Sequence, residues 1–179
     1  MADDWQSQIL DFWFGLDPKQ WWNGGAELDE RVRDHFLDLW KEKRQLAAAS
    51  FLGDPRTAIA GVILFDQFPR NMFRGHADQF STDLLALAIA KGAFDRGLDE
   101  EMSLDERKFL TMPFQHSEDI HDQDRAILLL TRLGDDHQLG YAKKHRDVIA
   151  RFGRFPHRNA MLGREPRPDE IAAGDVVPW

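Results

Sequence analysis

Apolar residues along this chain recur every three to four positions, a spacing that predicts amphipathic helices. The first segment places Trp5, Ile9 and Trp13 on one side of such a helix, and Gly15 marks its end. The same spacing recurs in residues 28–40, 122–133 and 141–152. Because no window alternates with a period of two and carries β-branched residues, the pattern predicts an all-α fold.

One segment is apolar on every side instead of on one face. It reads TAIAGVILF over residues 57–65, and its alanine content favours a buried helix over a buried strand. Short connections between the periodic segments predict antiparallel helix pairs, packed side by side in a single domain over residues 1–179.

Capping residues and glycines predict further helix ends. Ser103 is followed three positions later by Glu106, which is capping-box spacing. A Ser or Thr at residues 81–82 is expected to cap the helix that follows. Gly97, Gly134 and Gly153 each stand just after a periodic segment and are expected to terminate it.

A short motif occurs twice. Residues 68–71 read Phe-Pro-Arg-Asn, residues 155–159 read Phe-Pro-His-Arg-Asn, and a glycine follows each asparagine by four positions. We expect each proline to end a helix, so that the Arg-Asn pair lies in the following turn. If the two corners converge, they bring together Arg70, Arg74, Arg154 and Arg158, with Asp66, His116 and His157 nearby.

Asp66 is the first candidate for chemistry. It continues the apolar face of residues 57–65 near a helix C-terminus, where the helix dipole disfavours an anion. We therefore expect an arginine partner, from the loop after residue 70 or from residues 151–158, because arginine binds a carboxylate through two parallel hydrogen bonds. For such a pair, Asp66→Ala is expected to cost about 3–5 kcal/mol of stability. The alternative role for Asp66 is that of a general base.

A second candidate is the polar stretch around residues 112–125. Ser117 is predicted to be the N-cap of a helix with acidic residues in its first turn, and Pro113 to separate that helix from the previous one. A metal site here would use His116, Glu118, His121 and Asp122. Its two histidines are five positions apart and do not share a helical face, so no metal site is predicted.

Charge is distributed unevenly. The formal net charge is −8, yet residues 143–167 carry eight Lys and Arg against two acidic residues. A long polyanion would also meet the acidic remainder, so no nucleic-acid partner is predicted. The basic segment is expected to face a small anion or acids of its own chain, first among them Asp66, Asp83, Glu118 and Asp122. His145 is expected to be a core histidine with one satisfied nitrogen.

Other features narrow the class of protein. The absence of cysteine excludes disulfides, thiolate metal sites and a cysteine nucleophile. The first ten residues lack a secretory signal pattern, and no apolar stretch approaches the roughly 20 residues that span a bilayer. We expect a soluble cytoplasmic protein without a membrane partner. No phosphate loop or dinucleotide fingerprint indicates a cofactor.

Several long motifs occur in order across nearly the whole chain. They read ILDFWFG, LFDQFPRNMFRG, FSTDLLALA, MPFQHSED and YAKKHRDVIARFGRFPHRNAMLGRE. Together they resemble the bacterial family known as domain of unknown function 924. The resemblance implies an all-α fold of the tetratricopeptide-like superfamily, with helix pairs in a right-handed array, and it implies no activity, cofactor or catalytic residue. The C-terminal GDVVPW departs from the family's usual end.

Three functional hypotheses follow. The first is a helical protein that binds an anionic small molecule or a peptide carboxylate through Arg70, Asn71, Arg74, Arg154, His157, Arg158 and Asn159. The second is a hydrolase in which His116, His157, Asp66 or Glu118 exchanges protons while arginines stabilise negative charge. The third is a structural or protein-interaction domain without a small ligand, in which carboxylates of the chain neutralise every arginine.

Overall fold

The protein is helical throughout the part that the structure describes. A computed structural model describes residues 4–178, which contain no β-strand, and Trp179 lies outside this range. The α-helices are α1 Trp5–Phe14, α2 Gln20–Asn23, α3 Gly25–Lys43, α4 Pro55–Val62, α5 Phe68–Met72, α6 Asp83–Asp95, α7 Leu104–His116, α8 Ile120–Leu133, α9 Asp136–Phe152, α10 Asn159–Leu162 and α11 Pro168–Ala173. The predicted all-α fold is confirmed.

Most predicted helix ends are also confirmed. The Ser103 backbone N–H donates to the Glu106 carboxylate at 2.7 Å and the Glu106 N–H donates to the Ser103 hydroxyl at 3.3 Å, which completes the capping box before α7. Gly134 and Gly153 adopt left-handed backbone conformations and end α8 and α9. Thr82 precedes α6 without capping it, because its hydroxyl donates to the Phe65 carbonyl instead.

The buried segment bends into a wider helical turn. α4 begins at Pro55, and its N-terminus is capped by the Asp54 carboxylate, which accepts from the Thr57 N–H at 2.9 Å. Residues Ile63–Gln67 then form a π-helix, and α5 follows without a break. Such wide turns occur inside helices and often at functional sites. This π-turn places both Asp66 and Gln67 in the interior.

Three predictions about prolines and caps were wrong. Pro69 is the second residue of α5 and directly follows the π-turn, so it does not end the helix. Pro113 lies inside α7 instead of separating two helices. Ser117 is not an N-cap: its hydroxyl accepts from the Asp119 N–H at 3.1 Å, and Asp119 caps α8. Glu118 therefore lies before the helix, not in its first turn.

The chain divides into two compact units. Residues up to Leu110 form one unit, and residues from Thr111 onward form the second. In the first unit, α3 packs on α5 and α4 packs on α6, and Phe36 and Phe68 are in contact there with ring centroids 4.5 Å apart. The expected single domain over residues 1–179 stays a prediction.

In the second unit, α8 packs along α9 across the turn at Gly134. This pair is an αα-hairpin, the arrangement that the short connections predict. Its apolar interior includes Ala126, Leu130 and Ile149. The assembly of such pairs into a tetratricopeptide-like right-handed array stays a prediction.

Candidate functional site

The basic segment leaves α9 through a sharp change of direction. Gly153 ends the helix with a φ of 69°, and Phe155 continues in an extended conformation before a short 3₁₀ turn at Pro156–Arg158. This path buries the Phe155 ring completely. The second copy of the repeated motif therefore starts a helical turn, and it does not end a helix as expected.

Three side chains contact the Phe155 ring, those of His145, His157 and Arg158, and His116 lies close enough to act electrostatically on His145. These four residues are called the His–Arg cluster. The Arg158 guanidinium lies over the ring with its Cζ atom 4.6 Å from the ring centroid. The rings of His145 and His157 have centroids 5.7 Å and 5.6 Å from it. Arg158 Nη2 donates to the His116 carbonyl oxygen at 3.1 Å, which ties the end of α7 to the cluster.

His145 has a defined tautomer. Its Nδ1 lies 2.8 Å from the Tyr141 carbonyl oxygen, and a carbonyl only accepts, so Nδ1 carries the proton and the neutral ring keeps a lone pair on Nε2. Burial, together with the positive charge of His116, Arg158 and His157, lowers the pKa of His145 to about 4 despite that hydrogen bond. The predicted hydrogen bond at one ring nitrogen is confirmed, and the side chain is half-buried beside the Arg158 guanidinium.

The cluster does not have the geometry of a metal site. Within residues 4–178, no group of three His, Asp or Glu side chains is placed to hold a metal ion. The carboxylates of the proposed metal set have other roles. The Asp122 carboxylate accepts from the Ser117 hydroxyl at 2.7 Å.

Glu118 binds the backbone of Phe155 and the side chain of Arg164. Its carboxylate accepts two hydrogen bonds from Arg164, at 2.7 Å and 3.0 Å, and one from the Phe155 backbone N–H at 2.8 Å. Burial acts to raise the pKa of Glu118, but these bonds and the charge of Arg158 outweigh it and hold the pKa below its ordinary value. Glu118 and Arg164 therefore fix the backbone from which the Phe155 ring projects.

Glu170 of α11 accepts hydrogen bonds from several residues of the basic segment. Its carboxylate accepts two hydrogen bonds from Arg154, at 2.6 Å and 2.8 Å, one from the Asn159 amide at 3.1 Å and one from the Arg167 N–H at 2.7 Å. The hydrogen bonds from Arg154 are the largest cause that lowers the pKa of Glu170 to about 2. Arg154 and Asn159, both expected ligand residues, hold a buried carboxylate of their own chain.

In the first unit, Arg70 is bound by two aspartates. It donates to both carboxylate oxygens of Asp83, at 2.8 Å and 3.0 Å, and its Nη1 lies 3.7 Å from Asp66 Oδ1. The Asp66 side chain is completely buried and also accepts from the Gln67 amide at 2.6 Å. Burial opposes the charged form of Arg70, but the two aspartates outweigh it and raise its pKa. The expected Asp66–arginine pair is confirmed, with Asp83 as the nearer partner.

Asn71 and Arg74 share a third aspartate. The Asp29 carboxylate on α3 accepts from the Asn71 amide at 2.8 Å and from two nitrogens of Arg74, at 2.6 Å and 2.8 Å. Burial acts to raise the pKa of Asp29, yet these donors keep it below its ordinary value. Arg70, Asn71 and Arg74 are thus held by carboxylates within the first unit.

The structure brings together a subset of the residues predicted to form a site. His116, His157 and Arg158 lie in the His–Arg cluster, and Glu118 lies at its edge. Convergence of this cluster with Arg70 and Arg74 stays a prediction. Sequence reasoning did not identify Phe155 or His145 as site residues, nor Asp29 and Glu170 as partners. His145 follows Tyr141 by one helical turn, which is the signal that could have fixed its tautomer.

Relatives of the chain are recognisable at the level of family and fold. The family described as bacterial protein of unknown function (DUF924) matches residues 9–173. The solved structure of a protein of unknown function, ATU0120 from Agrobacterium tumefaciens, is 40% identical with a TM-score of 0.85 and is matched over 94% of this chain and 95% of that chain. No functionally curated protein matches. The expected family resemblance is confirmed, and the chain belongs to the DUF924 family.

Proposed function

We propose that this protein binds a small oxyanion, a carboxylate or a phosphate, at the His–Arg cluster. The observation that carries the proposal is the convergence of two imidazoles and one buried guanidinium on the ring of Phe155, with His116 close enough to act electrostatically on His145. Guanidinium and imidazole N–H groups are the side-chain donors that suit carboxylate and phosphate oxygens. An anion among them would receive several hydrogen bonds at once.

Electrostatics favour an anion at this place. The positive charge of His116, Arg158 and His157 acts against protonation of His145, whose pKa lies near 4. A negative charge beside the Arg158 guanidinium gains charge-assisted hydrogen bonds. The cluster therefore gains more from an anion than an isolated surface arginine does.

Arg158 is the arginine of the candidate set whose guanidinium lies in the His–Arg cluster, on the ring of Phe155. Arg70 is bound to Asp83, Arg74 to Asp29 and Arg154 to Glu170. Releasing any of these guanidinium groups to a ligand would leave a carboxylate of the chain without its counter-charge, which is costly in a buried setting. The ligand set proposed here is accordingly His116, His145, His157 and Arg158.

Binding is favoured over hydrolysis by the state of the carboxylates. Asp66 is completely buried and bonded to Gln67, and Glu118 is held by Arg164 with a lowered pKa. A general base must reach its substrate and have a pKa near the working pH. Neither carboxylate meets both conditions.

The test compares two neighbouring arginines in a thermal-shift assay. Ligands of the folded state raise its melting temperature, by an amount that grows with concentration over Kd. We expect inorganic phosphate, acetate or citrate at millimolar concentration to raise the melting temperature of the parent protein at constant ionic strength. Arg158→Gln is expected to abolish this rise. Arg164→Gln, the matched control, is expected to lower the baseline melting temperature, because Glu118 loses both guanidinium bonds, yet to retain the rise.

A parent protein that responds to none of these anions would contradict the proposal. Equal responses of the parent protein and Arg158→Gln would place any anion elsewhere. Either result would leave the structural role, in which the cations only join parts of the fold.

A further inference from the structure

The segment that follows α9, residues 154–173, is called the strap and buries polar side chains more than apolar ones. Phe155 is its completely buried apolar residue, whereas Leu162 and Ile171 are 38% and 67% exposed. Its buried polar or charged residues are Arg158, Asn159 and Glu170. Polar contacts therefore contribute much of what holds the strap to the second unit.

The αα-hairpin of α8 and α9, from which the strap departs, is packed differently. Its buried apolar residues are Ala126, Leu130, Ala142, Ile149 and Phe152. Segments with few buried apolar contacts open at a lower free energy than the well-packed parts of the same structure. The strap is therefore expected to open while the hairpin stays folded.

Hydrogen bonds within the strap join its start, its middle and its end. The Glu170 carboxylate accepts from the side chains of Arg154 and Asn159 and from the Arg167 N–H. Arg164 Nε in turn donates to Asn159 Oδ1 at 3.0 Å. Because these bonds connect distant parts of the strap, we expect it to open as one unit and not to fray residue by residue.

A glycine lies at each end of the strap. Gly153 and Gly174 have φ values of 69° and 72°, and a Cβ at either position would meet no neighbouring atom. Hinges are commonly a few residues at the ends of elements that can absorb a change in backbone angles. Both glycines meet this description, so the chain can rotate on either side of the strap.

We infer that the strap opens as one unit about these two glycines and that Glu118 holds it closed. The Glu118 carboxylate accepts two hydrogen bonds from Arg164 and one from the Phe155 N–H. Glu118 lies before α8, outside the strap, so all three bonds join the strap to the rest of the second unit. Hydrogen bonds to an ionised group are roughly twice as strong as neutral ones.

Closure of the strap assembles the His–Arg cluster. His157 and Arg158 belong to the strap, whereas His116 and His145 lie outside it, in α7 and α9. The bond from Arg158 to the His116 carbonyl and the ring contact of Phe155 with His145 both cross this boundary. Opening would separate the two halves of the cluster, and it requires no anion.

Native-state hydrogen exchange of the intact protein at pH 7, followed residue by residue by NMR, tests the opening. The amides of Arg164, Arg167 and Ile171 donate hydrogen bonds within the strap. We expect them to exchange with one common opening free energy, below that of the buried turns of α8 and α9. Urea is expected to accelerate their exchange less than that of the hairpin, because opening the strap exposes less surface than unfolding the unit.

Glu118→Gln tests what holds the strap closed. Loss of the carboxylate charge is expected to raise the exchange rates of the three strap amides and of Phe155 together, by about 10- to 100-fold. The rates in α8 and α9 are expected to stay unchanged. The matched control is Glu165→Gln, which removes an exposed carboxylate from the strap itself and is expected to change neither set of rates.

Two results would overturn the inference. Equal opening free energies for the strap and the hairpin in the parent protein would mean that the strap opens only when the unit unfolds. Faster exchange of the Phe155 amide alone in Glu118→Gln would mean that Glu118 orders one residue and does not hold the strap. If Glu118→Gln does not fold, urea dependence in the parent protein decides, and equal sensitivity of strap and hairpin would overturn the inference.

Discussion

Single arginines in this protein differ in what holds them. Arg70 and Arg164 each make two hydrogen bonds to one carboxylate, from Asp83 and Glu118 respectively. Arg158 lies on an aromatic ring and donates to a backbone carbonyl. The carboxylate contacts of Arg70 and Arg164 stabilise the fold, and Arg158 is proposed to hold a ligand as well as its contacts within the chain.

The Arg70 pair leads to a prediction that revises the sequence-based expectation for Asp66. Asp83 makes the two-point contact, so Asp83→Ala is expected to lower the free energy of unfolding by about 3–5 kcal/mol. Asp66→Ala is expected to cost less, about 1–3 kcal/mol, because Arg70 keeps its two hydrogen bonds to Asp83 while the Gln67 amide loses an acceptor.

Urea unfolding of both variants checks the order of these costs. Asp38→Ala is the control, because the Asp38–Lys41 pair is exposed and is expected to be worth at most about 1 kcal/mol. A larger loss for Asp66→Ala than for Asp83→Ala would mean that Asp66 is the principal partner of Arg70.

At the scale of elements, each copy of the repeated motif binds a carboxylate from another helix. Asn71 in α5 donates to Asp29 of α3, and Asn159 in α10 donates to Glu170 of α11. An arginine joins each carboxylate, Arg74 in one case and Arg154 in the other. The motif joins helices, and this explains why the chain uses it twice.

A glycine with positive φ follows each copy of the motif and yields a second prediction. Gly163 ends α10 with a φ of 64°, and a Cβ there would meet no neighbouring atom. Gly163→Ala is therefore expected to cost about 1–2 kcal/mol through backbone strain alone. Gly140→Ala, inside α9 and equally open, is the control and is expected to stabilise by up to about 1 kcal/mol.

Thermal or urea unfolding of the two alanine variants decides the point. Opposite signs are expected for the two changes in stability. A Gly163→Ala variant as stable as the parent protein would show that the chain can leave α10 by another backbone path.

Helices were predictable because their signals are local. The capping box at Ser103 and the terminating glycines of α8 and α9 depend on residues a few positions apart. The wrong predictions of helix ends involve residue types that occur at both ends of helices. Proline, for example, is found at the start of a helix as well as after its end, and Pro69 lies at the start of α5. The π-turn at Ile63–Gln67 has no local signal of its own.

The candidate site was predictable only in part for the same physical reason. A cationic partner for Asp66 was predictable because its carboxylate interrupts an apolar helix face, and Arg70 is that partner. Asp29 lies 42 residues before Asn71, and Glu170 lies 11 residues after Asn159, in segments whose other acids are exposed. Which of many carboxylates pairs with a distant asparagine or arginine depends on how the helices pack. The pattern of polar and apolar residues along a single sequence does not contain that information.

At the scale of the whole molecule, charge is neutralised locally within each unit. The basic segment of residues 143–167 supplies Arg154 and Arg164 to acids of the second unit, and the first unit has its own aspartates for Arg70 and Arg74. No helix among the described residues combines the length and apolar character that a bilayer crossing requires.

The His–Arg cluster makes the stability of the molecule sensitive to acid. The pKa of His145 is about 4 in the folded state, against an ordinary value of 6.5 that applies in the unfolded state. The unfolded state therefore binds the proton first as the pH falls. Folding is thus unaffected by this group above pH 6.5 and loses stability between pH 6.5 and 4, by up to about 3 kcal/mol. Acids with lowered pKa values, such as Glu170, add losses only below about pH 4.5.

Unfolding in urea at a series of pH values checks this prediction. His145→Gln is expected to flatten the profile between pH 6.5 and 5, and His35→Gln is expected to leave it unchanged. An unchanged profile for His145→Gln would mean that His145 does not carry the acid sensitivity.

The central claim is that the His–Arg cluster holds an anion, and the histidine ring resonances test it most directly. Carbon–proton NMR spectra at pH 7 would follow His116, His145 and His157 while inorganic phosphate and, separately, acetate are added at constant ionic strength. We expect the three rings to shift together with one saturating curve for at least one anion, while the exposed rings of His35 and His76 stay fixed. Rings of the cluster that do not move with either anion, or that move no more than His35 and His76, would contradict the account.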